Sequence, residues 1–435
     1  MNDVTRYANM KDSGIWKLED IPSGWKIIKI KYIATLDPYC ESSNIANDSN
    51  VSFVPMECIK NNHIIERSSK KYKYNSSYST FLNGDIAIAK VTPCFENGNI
   101  VIMKNLINGF GFGSSELFIL RPFKVDTKFL FYALQSHSFK EGAVSIMTGT
   151  GGLKRVSSTY MKNAFIAMPP EYEQKRISYY LDSQCAKIDD IIAGARTSIE
   201  EYKKWKASVI SEAVTKGLDP HAEMKDSGVE WIGKIPKHWQ VTRLKNIASV
   251  ARGGSPRPIE DYLTSEDSGL NWIKIGDTIK GYKYIDAVRQ KIRHEGLSKT
   301  KIVHKGDLIL TNSMSFGEPY ILNIDGCIHD GWVCIQDIHI EKEFLYYTLV
   351  SNLCKEQFKL QVSGGVVKNL NVDKIGIIYI FVPSYEEQKN IIDYLNSKCS
   401  EIDNLIGEKE ALIADLESYK KSLIYEVVTG KRKVI

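Results

Sequence analysis

Two stretches of the chain set a proline beside a tyrosine, "LDPYC" at 36–40 and "GEPY" at 317–320. Methylation of an exocyclic amine would need an aromatic-bearing (N/D)PP(Y/F) loop, and neither stretch fits it. "GFGFGSS" at 109–115 looks like a cofactor glycine loop, yet its spacing matches neither GxGxxG nor a Walker motif, so a strand connection is the expectation. "GLSKT" at 296–300 lacks the upstream glycine of a phosphate loop. There is no HExxH, no paired-cysteine ligand set and no defensible nucleophile–base pattern, and the eight histidines are scattered. The reading is a chain without catalytic residues, metal ligands or a cofactor of its own.

What remains is binding chemistry. Basic and amide residues gather in turn-rich segments: Lys70, Lys71 and Lys73; Lys154 and Arg155; Arg252 and Arg257 in "ARGGSPRP"; Arg289, Lys291 and Arg293; Lys368 and Asn369. Arginine and lysine can contact phosphates or guanine edges, and asparagine can pair with adenine. A solvated surface is the plain alternative for any one of them. Both "TGTGGLKRVS" (148–157) and "VSGGVVKNLN" (362–371) set a Gly-Gly pair just before a lysine, which singles out Lys154 and Lys368.

These segments need a scaffold. At 435 residues the chain is too long for one core, and 43% apolar with 25% charged residues is ordinary globular composition. A net charge of +5 permits a nucleic-acid partner without demanding one. No apolar run approaches the roughly 20 residues of a membrane helix, and no signal-peptide core opens the chain. Eight cysteines without a CxxC pair read as cytoplasmic thiols.

The chain repeats itself. An offset of 214 carries Met10 to Met224, Trp25 to Trp239, Gln174 to Gln388, Cys185 to Cys399 and Thr215 to Thr429. Between these blocks the halves match poorly; "NGDIAIAK" (83–90) echoes "KGDLILTN" (305–312) at an offset of 222. Short period-two apolar runs punctuated by Gly, Asn, Ser and Pro predict α+β modules rich in strands. The shared blocks predict two long helices. Apolar residues recur by threes and fours from Ile177 through Trp205 to Ala213, and from Ile391 through Tyr419 to Val427. About 40 residues at roughly 1.5 Å each span roughly 60 Å. The expected arrangement is an antiparallel coiled coil under pseudo-two-fold symmetry. The alternative is that each helix packs on its own module.

That order of blocks resembles the specificity subunit of Type I restriction–modification enzymes over essentially the full length. The resemblance rests on "GVEWIGKIPKHWQVTRLKNIA" (228–248), its weaker copy at 14–34, "ARGGSPRP…NWIKIGD" (251–277), and the duplicated blocks opening each helix. It implies a non-catalytic subunit with target-recognition domains at 1–167 and 218–381 and spacer helices at 168–217 and 382–435. Each domain would read half of a bipartite, asymmetric duplex DNA site. The helices would set the spacer and dock two methylation subunits, joined by restriction subunits; S-adenosylmethionine, Mg²⁺ and ATP would belong to those partners. The rival readings are a protein-binding scaffold and the specificity half of a fused methyltransferase or nuclease. The first copy sets Trp16 one place early and lacks the Glu-Trp-Ile-Gly run.

"MKDSGVEWIGKIPKHW" (224–239) and "MKDSGIWKLEDIPSGW" (10–25) then read as joints. Residues 224–239 should pack against the end of the first helix, and 10–25 against the end of the second, near Val427. That makes the chain nearly circular, with Trp25 and Trp239 as the fasteners.

Overall fold

A computed structural model of the chain describes residues 6–15, 18–40, 49–60, 63–64, 68–71, 78–149, 152–229, 232–279, 281–313, 316–362 and 370–434. It divides into two compact units, residues 1–195 with 410–435, and residues 196–409.

In the first unit the strands Ile100–Ile102, Ile86–Ala89, Leu117–Pro122 and Ala34–Leu36 lie in that order in one sheet. "IAIA" is buried at every position because the sheet is covered on both faces. Ile86, Ile88, Phe118 and Leu120 join the core beneath the helices, while Ala87, Val101 and Ile119 join a second core with Phe81. Strand residues alternate between faces, so neighbours in sequence serve different cores. A second sheet runs Ser68–Lys71, Asn50–Val54, Phe110–Gly113, Ser79–Leu82.

The second unit repeats this plan. Its first sheet runs Ser249–Arg252, Trp332–Gln336, Leu308–Thr311, Pro319–Leu322, with Tyr284–Ile285 added at the edge. Leu308, Leu310, Val333 and Ile335 face the helical core; Ile309, Cys334 and Trp332 face the other. The unshared middles of the two halves therefore fold alike. Their hairpin loops differ in length, which is why no single offset aligns them.

The long helices are Glu171–Lys216 and Tyr385–Val428. Each begins after a proline-containing turn, with two acids in its first turn suited to the positive helix end. The buried Gln174 donates to the Pro169 carbonyl (2.9 Å) and accepts from the Asp126 amide (2.9 Å). Gln388 does the same with Pro383 (3.0 Å) and Glu341 (2.8 Å). This glutamine ties each long helix to the start of a short module helix, Thr127–Ala133 in the first unit and Lys342–Val350 in the second.

Within each unit the two long helices run antiparallel. In the first, Lys420 pairs with Asp189 at 2.6 Å, and further along Gly430 reaches the start of the first helix through Trp25. In the second, Lys206 pairs with Asp403 at 2.6 Å, and a Cβ on Gly217 would stand 3.1 Å from Glu387 Oε1. The two readings of the stripe both hold in part. Ile177, Leu181, Cys185 and Ile188 are buried in one core with the module residues Phe129 and Leu130 and with Leu423 and Val427 of the second helix.

The stripe fails at one equivalent pair. Trp205 is 42% exposed and Tyr419 48% exposed. Beyond it the stripe is buried again at Ala213, Leu423 and Val427, and it widens to take in Ile210, Val214, Ile424 and Val428.

The joints form as expected. Met10–Asp12 pairs with Asp20–Pro22, and Met224–Asp226 with Lys234–Pro236, in the same register. Each hairpin delivers a fully buried tryptophan whose indole N–H donates to a glutamate at a helix start: Trp25 to Glu173 and Trp239 to Glu387, both at 3.0 Å. Lys11 and Lys225 donate to the Trp25 and Trp239 carbonyls (2.7 and 2.6 Å). Gly217 and Gly430, at positive φ, end the helices against these rings; a Cβ would stand 3.3 Å from Trp239 and, at Gly430, 2.2 Å from Pro22. In the first unit Lys431 pairs with Glu19, and Lys433 lies 6.0 Å from the Tyr7 ring, so the two ends of the described chain meet.

Trp239→Ala should destabilise the second unit by about 3–5 kcal/mol, while Trp239→Phe, which keeps the ring packing, should cost less. Calorimetric unfolding of the full chain checks this; equal losses would show that packing is not what holds the joint.

Candidate nucleic-acid interface

The singled-out cations occupy sheet edges and loops. Lys70 and Lys71 lie on Ser68–Lys71, an edge strand exposed along its length. Edge lysines discourage strand pairing between molecules and can equally face an anion. Lys70 Nζ sits 3.6 Å over the Phe53 ring, which packs tilted on Phe112 and edge-on to Tyr78. Tyr78 is 41% exposed, so this edge presents a cation and an aromatic ring together. The sequence reading missed Phe53 and Tyr78; Phe53 lies 17 residues before Lys70 and is brought beside it only by strand pairing.

Lys154 is exposed, and its backbone bonds to Thr92 in both directions, amide to Oγ1 and carbonyl from the Thr92 amide, each at 2.9 Å. Arg155 is committed elsewhere. Its guanidinium grips Glu116 with two bonds (3.0 and 2.6 Å), and that pairing holds the Glu116 carboxyl below the usual glutamate range.

In the second unit the "ARGGSPRP" segment wraps Asp330. Ser255 donates to it (2.7 Å), Arg257 Nη2 reaches it at 3.4 Å, and Arg252 Nε points to its carbonyl at 3.4 Å. The Ser255 bond, then His329 and Arg257, hold the Asp330 carboxyl below the ordinary aspartate range. Gly253 and Gly254 are required here: a Cβ would stand 2.2 Å from the His329 carbonyl and 2.4 Å from that of Lys299. Arg289 and Arg293 project into solvent, whereas Lys291 is drawn to Asp267 at 3.6 Å. Lys73, Lys368 and Asn369 lie outside the described residues. The cations of each unit thus occupy several loops and edges, and three of them, Arg155, Arg257 and Lys291, are already held by a carboxylate.

The catalytic look-alikes resolve into structure. "GFGFG" is the strand Phe110–Gly113, in which a Cβ on Gly111 would stand 2.4 Å from Phe81 and one on Gly113 2.0 Å from the Val54 carbonyl. Those glycines admit neighbouring strands. Tyr320 of "GEPY" is buried edge-on against Trp332. In "LDPYC", Asp37 turns at positive φ and accepts from the Ile119 amide (2.9 Å), leaving Tyr39 78% exposed. Lys299 of "GLSKT" donates to the Tyr262 hydroxyl (2.8 Å). Among the described residues no cluster of His, Cys, Asp and Glu could hold a metal ion, and no helix is long and apolar enough to cross a membrane.

Comparison with known proteins agrees with this geometry. The model of the Type I restriction modification DNA specificity domain matches residues 22–201 and again residues 236–414. The Type I restriction enzyme EcoAI specificity subunit of Escherichia coli is 35% identical over 236 residues, 53% of this chain and 38% of that protein. The MjaVIII specificity subunit of Methanocaldococcus jannaschii is 27% identical over 321 residues, 71% of each chain. The matches span only 38% and 33% of the E. coli relatives EcoAI and EcoEI. The fold is shared with a chain solved in work on complex assembly and conformational transition of the type I R-M system (TM-score 0.73, 16% identity, 94% of this chain and 98% of that one). It is also shared with the HsdS subunit from Thermoanaerobacter tengcongensis (TM-score 0.52, 19% identity, 96% and 99%). With the domain matched twice across most of its length, the chain belongs to the Type I restriction modification DNA specificity family.

Proposed function

We propose that this chain is the non-catalytic DNA-reading subunit of a Type I restriction–modification complex, working in the cytoplasm. The observation that carries the reading is the duplication: two modules of one fold, each fastened by the same Trp–Glu joint, each displaying a different set of cations. A bipartite, asymmetric duplex is the ligand that two unlike readers on one scaffold suit. In this reading the segments 1–167 and 218–381 are target-recognition domains, and 168–217 and 382–435 are spacers. Two methylation subunits dock on the spacers and restriction subunits join through them, bringing the cofactors of methyl transfer and ATP hydrolysis.

Lys70, Lys71, Lys73 and Lys154 of the first module, and Arg252, Arg257, Arg289, Lys291, Lys368 and Asn369 of the second, are the proposed contacts. Arg155 joins them if phosphate displaces Glu116. A protein-binding scaffold would not need cations on both modules.

Reconstituted with methylation subunits, the chain should bind one bipartite duplex with affinity falling linearly in log–log salt plots. Replacing Lys70 and Lys71 by alanine should weaken binding to all sequences alike and flatten the slope by about one for each phosphate no longer neutralised. Undetectable or salt-insensitive binding by the assembled complex would favour the scaffold.

The spacer has its own test. Removing one heptad from both long helices shortens each by about 10 Å, roughly three base pairs of duplex. The half-sites should persist with a shorter gap; an unchanged gap refutes the ruler.

A further inference from the structure

The two units differ at one equivalent place. "SHSFKEG" from Ser136 and "SNLCKEQ" from Ser351 open matching helices, each serine accepting from the amide three residues on. They set Lys140 and Lys355 at the same position. In the second unit Lys355 is ion-paired at 3.3 Å with Glu318, from the loop between Leu308–Thr311 and Pro319–Leu322. In the first unit the corresponding loop brings Glu96, but no such pair closes. A pocket of about 440 Å³ opens there instead, lined by Glu96, Gln135, His137, Lys140 and Lys421. Lys421 comes from the second long helix; one repeat earlier, position 207 is alanine.

Neither Lys140 nor Lys421 has a carboxylate within ion-pair distance among the described residues, and Glu141, on the same wall, pairs with His137 at 2.7 Å. Burial, and then Lys421, push the Lys140 pKa below the usual lysine range. The half-buried Lys140 and the exposed Lys421 bring two ammonium groups to this pocket, and their repulsion is relieved when a negative group binds between them. Several oxygens on one centre can accept from both lysines and from the Gln135 amide, which is the chemistry of a phosphate.

We propose that this pocket of the first unit is a phosphate-binding site, filled by a free phosphate compound or by a backbone phosphate of DNA. It does not depend on which sequence the modules read.

Pyrophosphate titrated into the full chain by calorimetry, at ionic strength matched with chloride, should bind saturably and raise the melting temperature. Lys421→Ala, which installs the residue found one repeat earlier, should weaken binding about tenfold, and Lys140→Met likewise. Glu96→Gln, which removes a like charge from the rim, should tighten it. Displacement of pyrophosphate by a duplex lacking the recognition sequence would identify DNA as the source, and retention would identify a free phosphate; both support the site. Pyrophosphate acting no differently from chloride, or binding both lysine variants as it binds the wild type, overturns it.

Discussion

A buried indole packs a large ring and brings an N–H that is costly to leave without an acceptor, and in this chain both joints are built on meeting the two demands together. Trp25 and Trp239 are fully buried, and each donates to a glutamate in the first turn of a long helix. A bond to a charged acceptor contributes about 1.5–3 kcal/mol, and removing one partner costs the desolvation of the other. The same rings pack against a terminal glycine of the other long helix. One side chain per unit therefore fixes where one helix starts, where the other ends and where the hairpin leading into the module lies. In the second unit His238 adds a contact to Glu387 at 2.8 Å; in the first, Tyr7 bonds to Glu173. The joint is kept while its accessory partner changes.

Between the joints the helices are held by apolar burial, with the Asp189–Lys420 and Lys206–Asp403 pairs at the surface. Exposed ion pairs of this kind contribute little. Their value is geometric: they mark the same antiparallel register in each unit. Because the helices also serve as one wall of each module's core, helix and module share their buried surface.

Much of this was legible in the sequence. The offset of 214 exposed the joints, and the spacing of Ile177, Leu181 and Cys185 exposed the helices. The strands were legible as elements, because "GDIAIAK" and "GDLILTN" are dense in apolar residues. Their two-sided burial was not, since alternation between two cores leaves no polar face to read. Trp205 and Tyr419 misled for a related reason: a stripe counted along one helix does not reveal where its partner changes from helix to module. The glycines of "GFGFG" looked like a cofactor loop because the Val54 carbonyl that requires Gly113 lies far away in sequence. The candidate interface was least legible. The basic residues could be found, but Glu116 and Asp330, which hold several of them, are brought close only by folding.

If the two modules read two half-sites, one chain directs modification to one bipartite DNA sequence. Single-molecule mapping of methylated bases in the host genome, with and without this chain, decides the matter. A single split, asymmetric motif should lose its methylation when the chain is removed and regain it when the chain is restored. A methylation pattern indifferent to the chain would contradict that role.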